Sequence, residues 1–229
     1  MHKITVAIDG YSGCGKSTTA RLVADALQYT YLDTGAMYRA VTHYFLENHV
    51  DWNDADAVAA ALPRIRVSFG ERRADGGRDT LLNGANVEDA IRSMAVSSKV
   101  SEVSAVPAVR RFLVAQQQQI GQAKGVVAEG RDMGTHVFPE AELKVFVTAD
   151  MDVRAERRQA ELQAKGQDVS LQEIRDNLTH RDRIDTSRDD TPLRQADDAE
   201  VLDTTHLTIP QQVAWVVERA RTRMHDGKE

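Results

Sequence analysis

Gly10-Tyr11-Ser12-Gly13-Cys14-Gly15-Lys16-Ser17 fits the spacing G-x-x-x-x-G-K-[ST] and leaves this chain few folds to choose from. The motif needs a strand before it and a helix after it. Lys3 to Ile8 (KITVAI), closed by Asp9-Gly10, reads as a buried strand, and the spacing of Leu22, Val23, Ala26 and Leu27 predicts a helix from Gly15 to about Gln28. Glycines let the backbone fold around a phosphate with its N–H groups turned inward, and the following helix adds a partial positive N-terminus. Chance alone produces the pattern in roughly one chain in a hundred of this length, and less often with these flanks. Gly10, Tyr11, Ser12, Gly13, Cys14, Gly15, Lys16, Ser17 and Thr18 are therefore the nucleotide candidates, with Lys16 reaching the β- and γ-phosphates and the Ser17 hydroxyl binding Mg²⁺. Cys14 reads first as a small residue filling space in the loop.

The same alternation continues. A strand at Tyr29–Asp33 and a helix from about Ala36 to Asn48 follow, then strands at Val126–Glu129, Leu143–Thr148 and Val201–Thr204 and a closing helix at Pro210–Met224. Strands separated by helices predict an α/β fold with a parallel sheet. Two segments interrupt it. Pro63 to Asn86 carries RIRVSF and DTLLNG around Asp75-Gly76-Gly77, the pattern of a small antiparallel insert, and Arg154–Arg188 reads as a charged helical hairpin on the surface, broken around Lys165-Gly166-Gln167-Asp168.

Composition narrows the class. At 229 residues the chain is one to two domains by length, and 41% hydrophobic with 28% charged residues is ordinary for a folded soluble protein. Lys and Arg number 29 against 35 Asp and Glu, a formal charge of −6, which with few aromatics argues against a nucleic-acid or membrane-coating surface. No apolar run is long enough to span a bilayer, and a single cysteine excludes an internal disulfide, so a cytoplasmic location is expected. No heptad seam suggests an oligomer, and a monomer is expected.

A phosphate loop does not by itself separate GTPases, motors and small-molecule kinases. No Asn is followed by Lys, so the N-K-x-D guanine signature is absent, as is L-S-G-G-Q. Arginines remain. Arg154, Arg157 and Arg158 share one helix face, and Arg181, Asp185 and Arg188 share another. The bland account is solvated helices with surface ion pairs, such as Glu161 with Arg157 or Arg158. The functional account is that two clustered phosphate anions need guanidinium groups. Leu32-Asp33-Thr34-Gly35-Ala36-Met37-Tyr38-Arg39 lies at a strand's carboxyl edge with Asp33 or Thr34 as helix cap, and Glu129-Gly130-Arg131-Asp132-Met133-Gly134-Thr135 occupies the equivalent place after the next strand. Two glycines around Arg-Asp imply that the backbone must approach something closely.

Taken together, IDGYSGCGKS, LDTGAMYR, LLNGANVEDAIRS, the Ser101…Pro107…Arg110 segment, EGRDMGT followed by VFP, and RDRIDTSRDDTPL closely resemble the bacterial cytidylate kinase family over essentially the whole chain. The resemblance implies a nucleoside monophosphate kinase fold across residues 1–229: a five-stranded parallel sheet flanked by helices, an NMP-binding insert at about 63–95 and a short helical lid at about 154–188. It implies transfer of the γ-phosphoryl group of ATP to CMP or dCMP, with Mg²⁺ accompanying ATP. Ser101, Arg110 and Asp132 would read the cytosine edge, Arg181 and Asp185 would hold the sugar, and Arg39, Arg131 and Arg188 would grip the acceptor phosphate, with Thr34 beside them. Arg154 and Arg158 would close on ATP, Arg157 being the weaker candidate. Lys16, Arg131, Asp132 and Arg188 would carry the chemistry. Arg110, next to Arg111 on a helix that otherwise reads as solvated, enters through the resemblance alone. Tyr11 stands where the family usually has Pro and Cys14 where it usually has Ala. Two other readings stay open on the residues: a P-loop kinase of another small acceptor, and a nucleotide-dependent switch whose charged hairpin meets a partner.

Overall fold

A computed structural model describes residues 2–73, 77–164 and 166–226. The chain divides into two compact units, one made of residues 1–32 and 123–229 and the other of residues 33–122.

The first unit carries the phosphate loop. Strand β1 (Thr5–Gly10) is buried along its whole length and runs two residues past the apolar stretch KITVAI, through Asp9 and Gly10, where the sequence reading had placed its end. Helix α1 (Lys16–Leu27) follows, then β2 (Thr30–Asp33). After the second unit come β6 (Val126–Glu129), β7 (Leu143–Thr148), helices α7 (Met151–Gln163) and α8 (Leu171–Ser187), β8 (Glu200–Asp203) and α9 (Ile209–Asp226). The strands form one five-stranded sheet in the order β2-β6-β1-β7-β8. β1 lies between β6 and β7 and is parallel to both, with Ile8 opposite Glu129 and Val145. Largely apolar strands such as β1, β6 and β7 are what a sheet covered on both faces requires. Ile4, Val6 and Ile8 pack with Val23 and Ala24 of α1, Val145 and Val147 of β7, and Val216 and Ala220 of α9. Strand boundaries follow the sequence reading to within two residues, because β-branched runs of four to six residues have no competing helical period here.

The second unit opens with α2 (Thr34–Glu47), whose N-cap is Asp33, accepting the Ala36 N–H at 2.7 Å. Helix α3 (Ala55–Ala61) leads to an antiparallel sheet of β3 (Val67–Arg72), β4 (Arg78–Leu82) and β5 (Ala85–Asn86). Asp75 and Gly76 of the expected turn, like Lys165 of the hairpin break, lie outside the described residues. Short helices α4 (Met94–Ser97) and α5 (Val100–Ala105) precede α6 (Pro107–Gly121), which starts on proline, a residue whose missing N–H is harmless in the first turn. Among the described residues no helix is long and apolar enough to cross a membrane.

Candidate active site

In the first unit, β1 delivers the chain into the phosphate loop, and Lys16 at the start of α1 folds back so that Nζ donates to the Tyr11 carbonyl at 2.5 Å. Lys16 is 5% exposed. Burial, reinforced by the Arg131 charge, lowers its pKa to about 8. The Ser17 and Thr18 side chains face solvent at the same turn. The loop is held from behind. Thr204, just after β8, donates its hydroxyl to the Cys14 carbonyl at 2.9 Å, and Thr19 Oγ1 donates to Gln212 Oε1 of α9 at 2.8 Å. Cys14 is fully buried, consistent with the space-filling reading.

The arginine stripes do not lie on solvated helices. Arg154, Arg181 and Arg188 are 3%, 8% and 9% exposed. Helices α7 and α8 pack on each other, so the stripes face inward rather than over the surface. Arg154 Nη2 donates to Asp182 Oδ2 at 2.5 Å, and its guanidinium lies 5.4 Å from the centre of the Tyr11 ring, within cation–π range. Arg157 donates to the Thr204 hydroxyl at 3.1 Å and carbonyl at 2.7 Å, and so touches the residue that braces the loop. Arg158 alone keeps the expected surface pair, with Glu161 at 2.8 Å.

Arg131 sits where these elements converge. Its Nε donates to Asp185 Oδ2 at 2.8 Å and its Nη2 to Ser12 Oγ at 2.7 Å, tying α8 to the phosphate loop. Burial opposes ionisation of Asp185, but Arg131 and Arg181 outweigh it and hold the carboxyl below the usual carboxylate range. Arg131 is correspondingly raised against its own burial by Asp185. Arg181 has the opposite fate: burial and the neighbouring Arg131 bring it down to about 10, and its buried Nε has no hydrogen-bond partner among the described residues. Arg188 ends α8, its Nε donating to the Thr191 carbonyl at 2.8 Å and its Nη2 lying 3.7 Å from Asp132 Oδ1. Within this unit the structure thus gathers Ser12, Lys16, Arg131, Asp132, Arg181, Asp185 and Arg188. Asp9 and Asp182 belong to the same cluster and were missed. Asp9 had read as the end of a strand, although an acid closing an otherwise apolar strand is itself a signal, since a buried carboxylate needs partners.

In the second unit, Arg39 is buried on α2 and donates Nη1 to the Ile91 carbonyl at 3.1 Å and Ser97 Oγ at 2.9 Å. Thr34 is buried in the first turn of the same helix, and Asp33 is its cap. The other Asp33 oxygen takes Arg92 Nη2 at 2.8 Å. Burial would raise Asp33, and Arg92 more than reverses that. Arg92 also holds Glu88, which receives the Thr80 N–H and hydroxyl from β4. LDTGAMYR and NVEDAIRS are therefore joined by one polar chain. Ser101 is buried on α5. Arg110 is 2% exposed: Nη1 reaches the Ser104 carbonyl at 3.4 Å and the guanidinium stands 5.8 Å from the centre of the Tyr38 ring. The solvated-face reading of α6 fails there. Val109, Leu113, Val114 and Gln117 are buried with Arg110, and that stripe was the available signal.

A magnesium ion arriving with a nucleotide fits this donor set. Ser17 offers an exposed hydroxyl beside Lys16, and among the described residues no group of three or more His, Cys, Asp or Glu could hold a metal alone. That chemistry suits a hard cation that keeps phosphate and water oxygens as most of its ligands.

A parallel sheet with a phosphate loop at the end of its central strand, and a ring of buried arginines braced on that loop, defines a P-loop kinase. Residues 6–222 match the family model described as Cytidylate kinase. The curated cytidylate kinase of Bacteroides fragilis is 53% identical over 220 residues, covering 95% of this chain and 96% of that one. That of Cytophaga hutchinsonii is 51% identical over 224 residues, covering 98% and 96%. An uncharacterized protein from Eubacterium ventriosum, 8% identical, shares the fold with a TM-score of 0.53 over 96% of this chain and 99% of its own. The chain belongs to the cytidylate kinase family and is an ATP-dependent phosphotransferase.

Proposed function

We propose that this protein transfers the γ-phosphoryl group of ATP to a phosphate oxygen of CMP or dCMP, giving ADP and CDP or dCDP for pyrimidine nucleotide metabolism. The observation that carries this reading is the cluster of Arg131, Arg181 and Arg188 beside the phosphate loop, in which Arg131 is joined both to Asp185 and to Ser12 of that loop. Arg181, whose buried Nε has no hydrogen-bond partner among the described residues and whose pKa is brought down by burial and Arg131, is a donor that a phosphate or sugar oxygen would satisfy.

Little covalent work is required. The acceptor phosphate is already ionised, so no general base is needed, and catalysis rests on positioning and charge stabilisation. The loop amides and Lys16 hold the β- and γ-phosphates. Ser17 would hold Mg²⁺, which would supply neutralisation of phosphate charge when bound. Arg131 and Arg188 stabilise the transferring group and the acceptor phosphate together with Arg39, while Asp132 keeps Arg188 in place. Arg181 and Asp185 hold the sugar. Ser101, Arg110 and Asp132 read the cytosine edge, since a guanidinium and a carboxylate complement the base's acceptor and amino donor. The antiparallel sheet within residues 63–95 belongs to acceptor binding, and α7–α8, across residues 154–188, act as a lid that brings Arg154 and Arg158 to ATP and excludes water. The enzyme acts as a monomer in the cytoplasm.

The test is to supply ATP and Mg²⁺ with one acceptor at a time: CMP, dCMP, UMP, AMP, GMP and shikimate. Rapid CDP and dCDP formation with weak UDP supports the reading. Phosphorylation of another acceptor instead, or ATP binding with no transfer at all, refutes it.

A further inference from the structure

EGRDMGT is fastened to β1 at two successive residues. The Gly130 N–H donates to the Ile8 carbonyl at 2.9 Å. Three residues on, the Met133 N–H donates to Asp9 Oδ1 and the Gly134 N–H to Asp9 Oδ2, each at 2.8 Å. Arg131 and Asp132 are the two residues between these anchors. The chain then closes a single π-turn, His136 and Val137 N–H both donating to the Asp132 carbonyl at 2.9 and 3.1 Å.

A Cβ on Gly134 would stand 3.1 Å from Lys144 Cδ, 3.2 Å from Lys144 Cγ and in ordinary contact, 3.5 Å, with Asp9 Oδ2, so a side chain there would need the Lys144 chain to give way by a few tenths of an ångström. The Lys144 ammonium is turned away, paired with Asp198. The Asp9 carboxylate is 5% exposed and both oxygens are engaged by amides, so it is not free to touch a substrate. The charges that act on it are Asp132 and Lys16.

We infer that Asp9 is a positioning residue for acceptor binding: by clamping the Met133 and Gly134 amides, it fixes the backbone from which Arg131 and Asp132 project, and couples that loop to the strand that carries the phosphate loop. The inference rests on the roles given above to Arg131 and Asp132. A carboxylate gripping two amides holds a turn more firmly than a neutral acceptor. Misplacing a phosphate-gripping arginine by about an ångström can cost about a hundredfold in rate. Burial raises the Asp9 pKa to about 6 although both amides pull it down, so its titration falls within reach of ordinary experiments.

Asp9→Asn keeps the volume but turns a donor toward one of the two amides. It should lower kcat/KM for CMP about a hundredfold while the ATP dissociation constant stays within about twofold. In an Arg131→Ala/Asp132→Ala background it should cost almost nothing more, because what it positions is gone. An undiminished further loss in that background, an equal loss of ATP affinity, or no loss with CMP would overturn the inference. Full CMP turnover by the Arg131→Ala/Asp132→Ala protein would refute the roles of those residues and the inference with them. A second measurement needs no variant. In the wild-type protein, the Met133 and Gly134 amide resonances should titrate with the Asp9 carboxyl carbon at one shared midpoint. Separate midpoints would overturn the clamp whether or not Asp9→Asn folds.

Discussion

Oδ2 of Asp185 accepts a hydrogen bond from Arg131 Nε at 2.8 Å, so the buried carboxylate of α8 is engaged in holding an arginine and not in moving a proton. Asp185→Asn keeps the shape and removes the charge that compensates Arg131, Arg181 and Arg188. Breaking a buried pair in this way should cost about 3 kcal/mol. The folded Asp185 pKa is depressed, so its contribution is complete above the ordinary carboxylate value and is lost as pH falls through the folded pKa. Urea unfolding at pH 7 and at about pH 2 to 3, below the ordinary carboxylate value, checks both points: the variant should be weaker at pH 7 and lose less than the wild type on acidification.

Lys16 sets a limit on the alkaline side. With a pKa of about 8 in the free protein, it is half neutral there, and only the ammonium grips phosphate. Bound nucleotide stabilises the charged form, so ATP binding should take up a proton near pH 8 to 9. Calorimetry in buffers of different ionisation enthalpy should show that uptake, with ATP affinity flat below about pH 7 and falling by up to tenfold per pH unit above 8. Affinity unchanged to pH 9.5 would remove Lys16 from phosphate binding.

Arg188→Ala should lower turnover about a thousandfold with ATP affinity within about threefold, since this arginine is assigned to the transferring group and the acceptor and not to the donor. Single-turnover rates and equilibrium binding separate the two effects. Near-normal turnover would exclude the role.

Gly13 is pressed against α7: an added Cβ would lie 3.1 Å from the Arg154 carbonyl and 3.2 Å from Arg154 Cβ, at a φ of 79°. Gly13→Ala should therefore cost about 1–2 kcal/mol and weaken ATP binding, because both the left-handed backbone and the contact with the arginine's helix oppose it. Thermal melts with and without ATP measure the two losses.

The parts of this molecule that could be read from its residues are those whose causes are local. The phosphate loop, its strand and helix, and β6 and β7 each declare themselves within a dozen residues. The burial of Arg110 does not, because Tyr38, over whose ring it stands, lies on a different helix. A pair of adjacent arginines on α6 looks solvated until the apolar stripe of Val109, Leu113 and Val114 is traced through one of them. Asp9 was illegible for a related reason: its partners, the Met133 and Gly134 amides, are more than a hundred residues away. The inward face of the arginine stripes likewise depends on α7 and α8 packing on each other, which charge patterning cannot reveal.

The place of β1 between β6 and β7 has a consequence for synthesis. The neighbours in the sheet of the strand that leads into the nucleotide loop, Val126–Glu129 and Leu143–Thr148, are translated more than a hundred residues after it. Thr204 and Gln212, which brace the loop from behind, come later still. Non-local pairing of this kind is slow to form and leaves apolar edges open while it waits. A growing chain thus carries β1, with its apolar Val6-Ala7-Ile8 centre, as an unpaired ribbon until β6 and β7 have been made, and the chain is open to sticking there in the interval.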